Sequence, residues 1–129
     1  GKAFTPHVLK KSLAGISDPK NDNGALLANY VAKYFEDTWL HLSDIGTILN
    51  EDAEVHYVVG NSTFYATLLP VEEIFKVMLQ EVGFHDVEVV KIRKRNSKAE
   101  LFEFDVTGTK KQPTKNPTVR ETRRRVSRR

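Results

Sequence analysis

The residues of this chain best placed to do chemistry lie between His56 and Phe64, in the run HYVVGNSTF. Three apolar residues, Tyr57, Val58 and Val59, give way at once to Gly60, Asn61 and Ser62. A buried strand ending this way carries small polar groups to the rim of an α/β sheet, where ligands of open α/β folds bind. Gly60, Asn61 and Ser62 are therefore the candidate pocket-rim residues. The same residue types are common in turns, where they satisfy nearby backbone groups. Both readings stand at this level.

A second chemistry is charge. Arg93, Lys94, Arg95 and Lys98 cluster in one short stretch, and Arg123, Arg124 and Arg125 lie in a basic terminus. Cations of this kind contact DNA phosphates, which position a duplex without reading its sequence. On an exposed hairpin they also simply oppose aggregation. Residues 110–129 hold nine Lys/Arg and one acid, Glu121; subtracting their +8 from the net +3 leaves −5 on residues 1–109. A tail so basic suits a phosphate backbone, through counterion release.

Other chemistries find little support. Without cysteine, disulfides, thiolate metal sites and cysteine nucleophiles are excluded. His56 reads as a satisfied, partly buried histidine without metal-ligand partners at suitable spacing. His41 and His85 read as inert positions on helical or turn surfaces, and His85–Asp86 lacks the nucleophile elbow that would make it part of a triad. No catalytic, cofactor-binding or metal-ligating residue is expected in the chain.

The elements that must position these residues follow from periodicity. Residues 1–24 read as an irregular N-terminal segment with a short helical possibility around 8–14, closed by the turn cluster SDPKNDNG. Residues 25–49 form an amphipathic helix, with Leu27, Val31, Phe35, Leu42, Ile45 and Leu49 on one face. Leu26, Tyr30, Tyr34 and Trp39 widen that stripe, as if it packed on a sheet and touched another element. Residues 54–60 are apolar on both faces apart from His56, the pattern of an interior strand of a mainly parallel sheet covered by helices on both sides. A loop to Leu69 leads to a second helix over 70–82. Pro70 suits its first position, Glu72 and Glu73 the positive end of its dipole, and Ile74, Phe75, Met78, Leu79 and Val82 its buried face. Gly83 reads as its left-handed C-cap, with Phe84 folding back on the last turn. Residues 87–94 and 100–107 form an antiparallel hairpin with Phe102, Phe104 and Val106 on its buried face. A right-handed crossover would join the first two strands as a parallel pair.

A chain of 129 residues with 40% hydrophobic and 29% charged residues has room for one soluble globular domain at most. No apolar run approaches the roughly 18 residues of a membrane helix. The start, GKAFTPHVLKK, lacks the apolar core of a signal peptide, so cytoplasmic residence is expected. Gly1 in place of Met suggests a processed piece.

Four stretches, in order, carry a resemblance: Tyr34 to Thr38 (YFEDT), Tyr57 to Ser62 (YVVGNS), Pro70 to Phe75 (PVEEIF) and Arg93 to Leu101 (RKRNSKAEL). One group of site-specific DNA amino-methyltransferases reads approximately YFEDM, YVVGNS, P-x-E-E-I-F and RKRNSKKEL at these places. Residues 25–109 thus resemble the C-terminal half of such an enzyme. The implied fold class is α/β, the ending of a Rossmann-like methyltransferase sheet: helix, fifth strand, helix, then a hairpin whose last strand runs antiparallel. The implied activity is methyl transfer from S-adenosylmethionine to the exocyclic amine of cytosine or adenine in DNA, with the base flipped into a pocket. Gly60, Asn61 and Ser62 would sit beside that pocket.

The departures from the family shape the expectation. Asn50-Glu51-Asp52-Ala53 stands where the family has a Pro-Gly-Gly-type turn, and residues 110–129, the basic tail, have no counterpart. The family's glycine-rich cofactor loop and D/S-P-P-Y motif, which precede this region, are absent: there is no G-x-G run and none of the five prolines is paired with another. The resemblance therefore implies a C-terminal fragment or one part of a split enzyme, with S-adenosylmethionine bound mainly by the other half. Expected partners are DNA and either the missing N-terminal half or a second copy, joined through the exposed edge of strand 54–60. The alternative is a non-catalytic nucleic-acid-binding accessory module or an inert fragment. A pure binder would hold DNA without cofactor and lose affinity steeply with salt.

Overall fold

The computed structural model describes residues 4–94 and 101–110. In chain order they form α1 (His7–Ile16), α2 (Gly24–Ile48), β1 (Glu54–Gly60), β2 (Ser62–Phe64), β3 (Thr67–Leu69), α3 (Val71–Val82), β4 (His85–Lys94) and β5 (Phe102–Thr109). The protein is mixed α/β, with three helices and a small antiparallel sheet among the described residues.

The N-terminal segment is more ordered than its sequence suggests. Leu9, Ser12 and Ile16, spaced three and four apart, are buried along α1, and the Ser12 hydroxyl donates to the Leu68 carbonyl at 3.2 Å. The Asn21 amide caps the last turn by donating to the Gly15 and Ile16 carbonyls, each at 3.1 Å. Chain reversal into α2 requires glycine at position 24, where a Cβ would stand 2.4 Å from the Ile16 carbonyl oxygen.

Helix α2 buries Gly24, Ala28, Val31, Phe35, Thr38, Leu42 and Gly46, a stripe with the three-and-four spacing of one helical face. Leu27, Ile45 and Leu49 pack at its margins. Trp39 lies against Phe4, ring centroids 5.1 Å apart. Leu26, Tyr30 and Tyr34 depart from expectation: they remain exposed.

The three-stranded sheet has the order β1-β5-β4, with β5 antiparallel to both neighbours. The antiparallel hairpin is present as expected. The expected parallel pairing of β1 with β4 is not, because β5 lies between them. β5 carries the sheet's most deeply buried side chains, Phe104 and Val106, and the central position covers them best. β1 is correspondingly an edge strand among the described residues. Its side chains alternate, with Val55, Tyr57 and Val59 turned to the helices and Glu54, His56 and Val58 to an uncovered face. The expected double coverage by helices is thus absent from the described structure.

The loop expected before Leu69 is instead a second hairpin, β2–β3. Its tip residues Tyr65 and Ala66 have φ of 51° and 65°, although neither is a residue that adopts this region easily. Ala66→Gly is therefore expected to stabilise the protein by about 0.5–1 kcal/mol, the relief of left-handed strain outweighing glycine's chain entropy. The urea midpoint should rise with an unchanged slope.

Pro70 caps α3 from one residue outside it, its carbonyl accepting from the Glu73 and Ile74 amides at 3.0 and 3.1 Å. Glu72 is buried, and desolvation, with a smaller contribution from Glu73, raises its pKa. Gly83 at φ 120° ends the helix, and the Phe84 amide returns to the Leu79 carbonyl at 3.0 Å. Phe84 then joins Phe35, Leu42, Ile74, Phe75, Met78, Leu79 and Val106 in the core between the helices and one sheet face.

Candidate functional site

The end of β1 separates the three rim residues. Asn61 is 4% exposed; its Oδ1 accepts the Phe102 amide at 2.8 Å, and its own N–H donates to the Phe102 carbonyl at 3.4 Å. One side chain thereby extends the β1–β5 pairing past the strand end. Asn61 thus satisfies backbone groups of Phe102, the role that small polar residues also play in turns. Gly60 and Ser62 line a groove of about 520 Å³ between α2 and the open side of β1, walled by Tyr30, Tyr34, Phe35 and Val58.

A second recess of about 380 Å³ shares Tyr34, Val58 and Val59 with the first and reaches His41, Tyr57 and Phe75. The Tyr57 hydroxyl and His41 Nε2 share a hydrogen bond of 3.0 Å. Burial holds the Tyr57 phenol above its ordinary pKa, so it does not supply a phenolate. Among the described residues, the polar side chains of the larger groove are the Ser62 hydroxyl and the phenols of Tyr30 and Tyr34, and no carboxylate lines it. Such a surface suits an uncharged, largely apolar occupant.

The uncovered sheet face has a different character. Register places His56, Thr107 and Glu88 in one row, Val58, Asp105 and Val90 in the next, and Gly60, Glu103 and Arg93 in a third. His56 is half-exposed rather than partly buried, with Nδ1 3.1 Å from Asp105 and Nε2 3.2 Å from Glu54. Hydrogen bonds to Asp105 first, and Glu54 second, raise its pKa above 6.5. Because the folded-state pKa is the higher one, the imidazolium's contribution is complete below about 6.5 and is lost as pH rises through the raised value. His56→Gln is expected to flatten that part of the stability–pH profile. Comparing thermal midpoints of both proteins at about pH 6 and about pH 8 in low salt measures the difference.

Among the expected DNA-contacting cations, Arg93 forms an ion pair with Glu103 at 2.8 Å, and Lys94 is exposed at the end of β4. Arg95, Lys98, Arg123, Arg124 and Arg125 lie outside the described residues. The face bearing Glu54, Glu88, Glu103 and Asp105 is predominantly acidic and opposes phosphate. His85 presents a buried Nε2 without a hydrogen-bond partner among the described residues. No group of three potential ligands converges on a metal position among those residues, and none of their helices is long and apolar enough to cross a membrane.

Comparison with known protein families, curated proteins and solved structures finds no match to this chain. What sequence reasoning missed is the groove itself, formed where exposed Tyr30 and Tyr34 overhang a strand edge. Its only advance signal was an aromatic stripe wider than one buried face needs.

Proposed function

We propose that residues 25–109 are the C-terminal part of an S-adenosylmethionine-dependent DNA methyltransferase acting on the exocyclic amine of cytosine or adenine. The observation that carries the reading is the order helix α2, strand β1, helix α3 and the pair β4–β5, whose last strand runs antiparallel to both its neighbours, with the short β2–β3 hairpin inserted before α3. The YVVGNS run coincides with β1 and its end, where Gly60 and Ser62 border the groove. Ligands of open α/β sheets sit beyond such strand ends.

The described residues do not fit the cofactor by themselves. The groove offers no carboxylate for ribose hydroxyls, and the sequence holds no glycine-rich loop to approach a cofactor closely. The cofactor loop and the D/S-P-P-Y motif would belong to polypeptide outside these 129 residues. The part left to this chain is support and positioning. Asn61 fixes the strand end through Phe102, and Ser62 stands next to it at the groove, where its hydroxyl would hold a flipped base in line for transfer. DNA contact falls to Lys94, Arg95, Lys98 and the basic tail, with Arg93 occupied by Glu103.

In enzyme reconstituted with its cofactor-bearing half, Ser62→Ala should lower methyl transfer about tenfold, the loss of one positioned hydrogen bond. The melting temperature of this chain should not change. An unaltered rate would remove Ser62 from the base pocket.

A further inference from the structure

We propose that the β2–β3 hairpin is a gate at the Ser62 end of the groove, held shut at its tip by the Tyr65 hydroxyl bonded to the Asp22 carbonyl. That the gated groove admits a flipped base rests on the methyltransferase reading; the gate itself does not.

The hairpin has little of its own to hold it together. It is a two-stranded sheet of three residues a side, separate from the three-stranded sheet. An isolated pair of strands is marginally stable in water at best. The turn adds a cost, because Tyr65 and Ala66 occupy successive left-handed positions, φ 51° and 65°, that asparagine and glycine fill more easily. Residues in such conformations persist only where their surroundings over-determine them, and they concentrate at clamps and switches.

The surroundings that hold this hairpin belong to α1 and the turn that follows it. The Tyr65 hydroxyl donates to the Asp22 carbonyl, between α1 and α2. The Ser12 hydroxyl of α1 donates to the Leu68 carbonyl at 3.2 Å. Thr67 lies so close to Gly15 that a Cβ there would stand 2.9 Å from its side chain. Apolar anchorage is confined to the base of the hairpin: Leu69 is buried, whereas Tyr65 and Leu68 are nearly half-exposed. Polar bonds, more than buried area, keep the tip down, which is the profile of a segment that opens locally.

Both ends of the segment are fixed. Asn61, just before β2, is tied to Phe102; Pro70, just after β3, caps α3. Residues 62–69 can therefore swing as one unit between two pinned ends. Ser62, Phe64 and Leu69 line the groove, so opening withdraws one wall and widens the groove beside Ser62. Releasing Tyr65 also relaxes the turn. Backbone strain favours the open state and the bond to Asp22 the closed one, which puts entry under the control of the α1–α2 turn.

The test is native-state amide exchange of the full chain in low urea. Phe64, Thr67 and Leu69 should exchange through one shared opening, faster than Val59 and Phe104 and nearly independent of urea, because that opening exposes little surface. Tyr65→Phe, which removes the bond and keeps the ring, should speed the opening about fivefold, the worth of one hydrogen bond. Ala66→Gly, which relieves the turn, should slow it. The sequence holds no cysteine, so Ser62→Cys places a single thiol at the groove. Its reaction with an aromatic disulfide reagent should accelerate by a similar factor when Tyr65→Phe is added. Hairpin amides that share the urea dependence of Val59 and Phe104 would overturn the proposal, since the hairpin would then open only with the whole protein. Unchanged exchange in Tyr65→Phe would overturn the latch, and equal thiol reactivity with and without it would overturn the link to the groove. Opening as described in a reconstituted mixture that transfers no methyl group would sink the enzymatic reading and leave the gate standing.

Discussion

Phe35→Ala is expected to destabilise the protein by about 3–5 kcal/mol, the usual result of emptying a large aromatic site that cannot collapse. Phe35 is 1% exposed. Its ring meets Phe75 of α3 edge-on at 6.4 Å between centroids and Tyr34 at 4.9 Å. It also walls the groove beside β1 and a smaller cavity between α1 and α2, so the ring holds α2 in place over the sheet edge. Since a domain of this size has a total stability of about 5–15 kcal/mol, the variant should unfold at a far lower urea concentration or fail to fold at 37 °C. Phe35→Leu, which restores much of the volume, should recover most of the loss. A cost below about 1 kcal/mol would mean that the core is not organised around α2 as described.

Asn61→Ala is expected to cost about 1–3 kcal/mol, through a different mechanism. The side-chain oxygen that accepts the Phe102 amide disappears while that donor stays partly buried. Amide exchange at Phe102 should accelerate, and the β1–β5 pairing should fray from that end. Asn61→Asp retains the acceptor, and is expected to recover the protection of Phe102 even where it perturbs global stability. If Phe102 exchange is unchanged in Asn61→Ala, the bracing role is wrong and Asn61 returns to the pocket.

The parts of the fold legible in the sequence were those decided by neighbours along the chain. Gly83 and Phe84 announced the end of α3 because a left-handed cap and its fold-back span only a few residues. The β4–β5 hairpin followed from alternation in Phe102, Phe104 and Val106 across a short connection. The buried stripe of α2 followed from spacing. What stayed hidden depended on distant partners. No local signal says that β5, rather than β4, lies next to β1, since that register pairs residues such as Val59 and Phe104. The β2–β3 hairpin lacked the Asn-Gly signature, because Tyr65 and Ala66 occupy left-handed positions against their preference. The Asn61–Phe102 contact stayed hidden because its partners lie 41 residues apart. His56 read as partly buried because β1 carries an interior pattern, while the face on which His56 lies is uncovered. That last mismatch carries the most information. Val58 and Tyr30 are each 65% exposed despite their apolar and aromatic side chains.

Methyl transfer measures the central claim most directly. Labelled methyl from S-adenosylmethionine would be followed into mixed-sequence duplex DNA with this chain alone, and with a polypeptide carrying the glycine-rich loop and D/S-P-P-Y motif. The account predicts label in DNA only from the mixture, with the rate rising until the two are equimolar. Transfer by this chain alone would contradict the assignment of cofactor and catalytic groups to the other half. No transfer from a mixture that has formed a stable equimolar complex would contradict the methyltransferase reading itself.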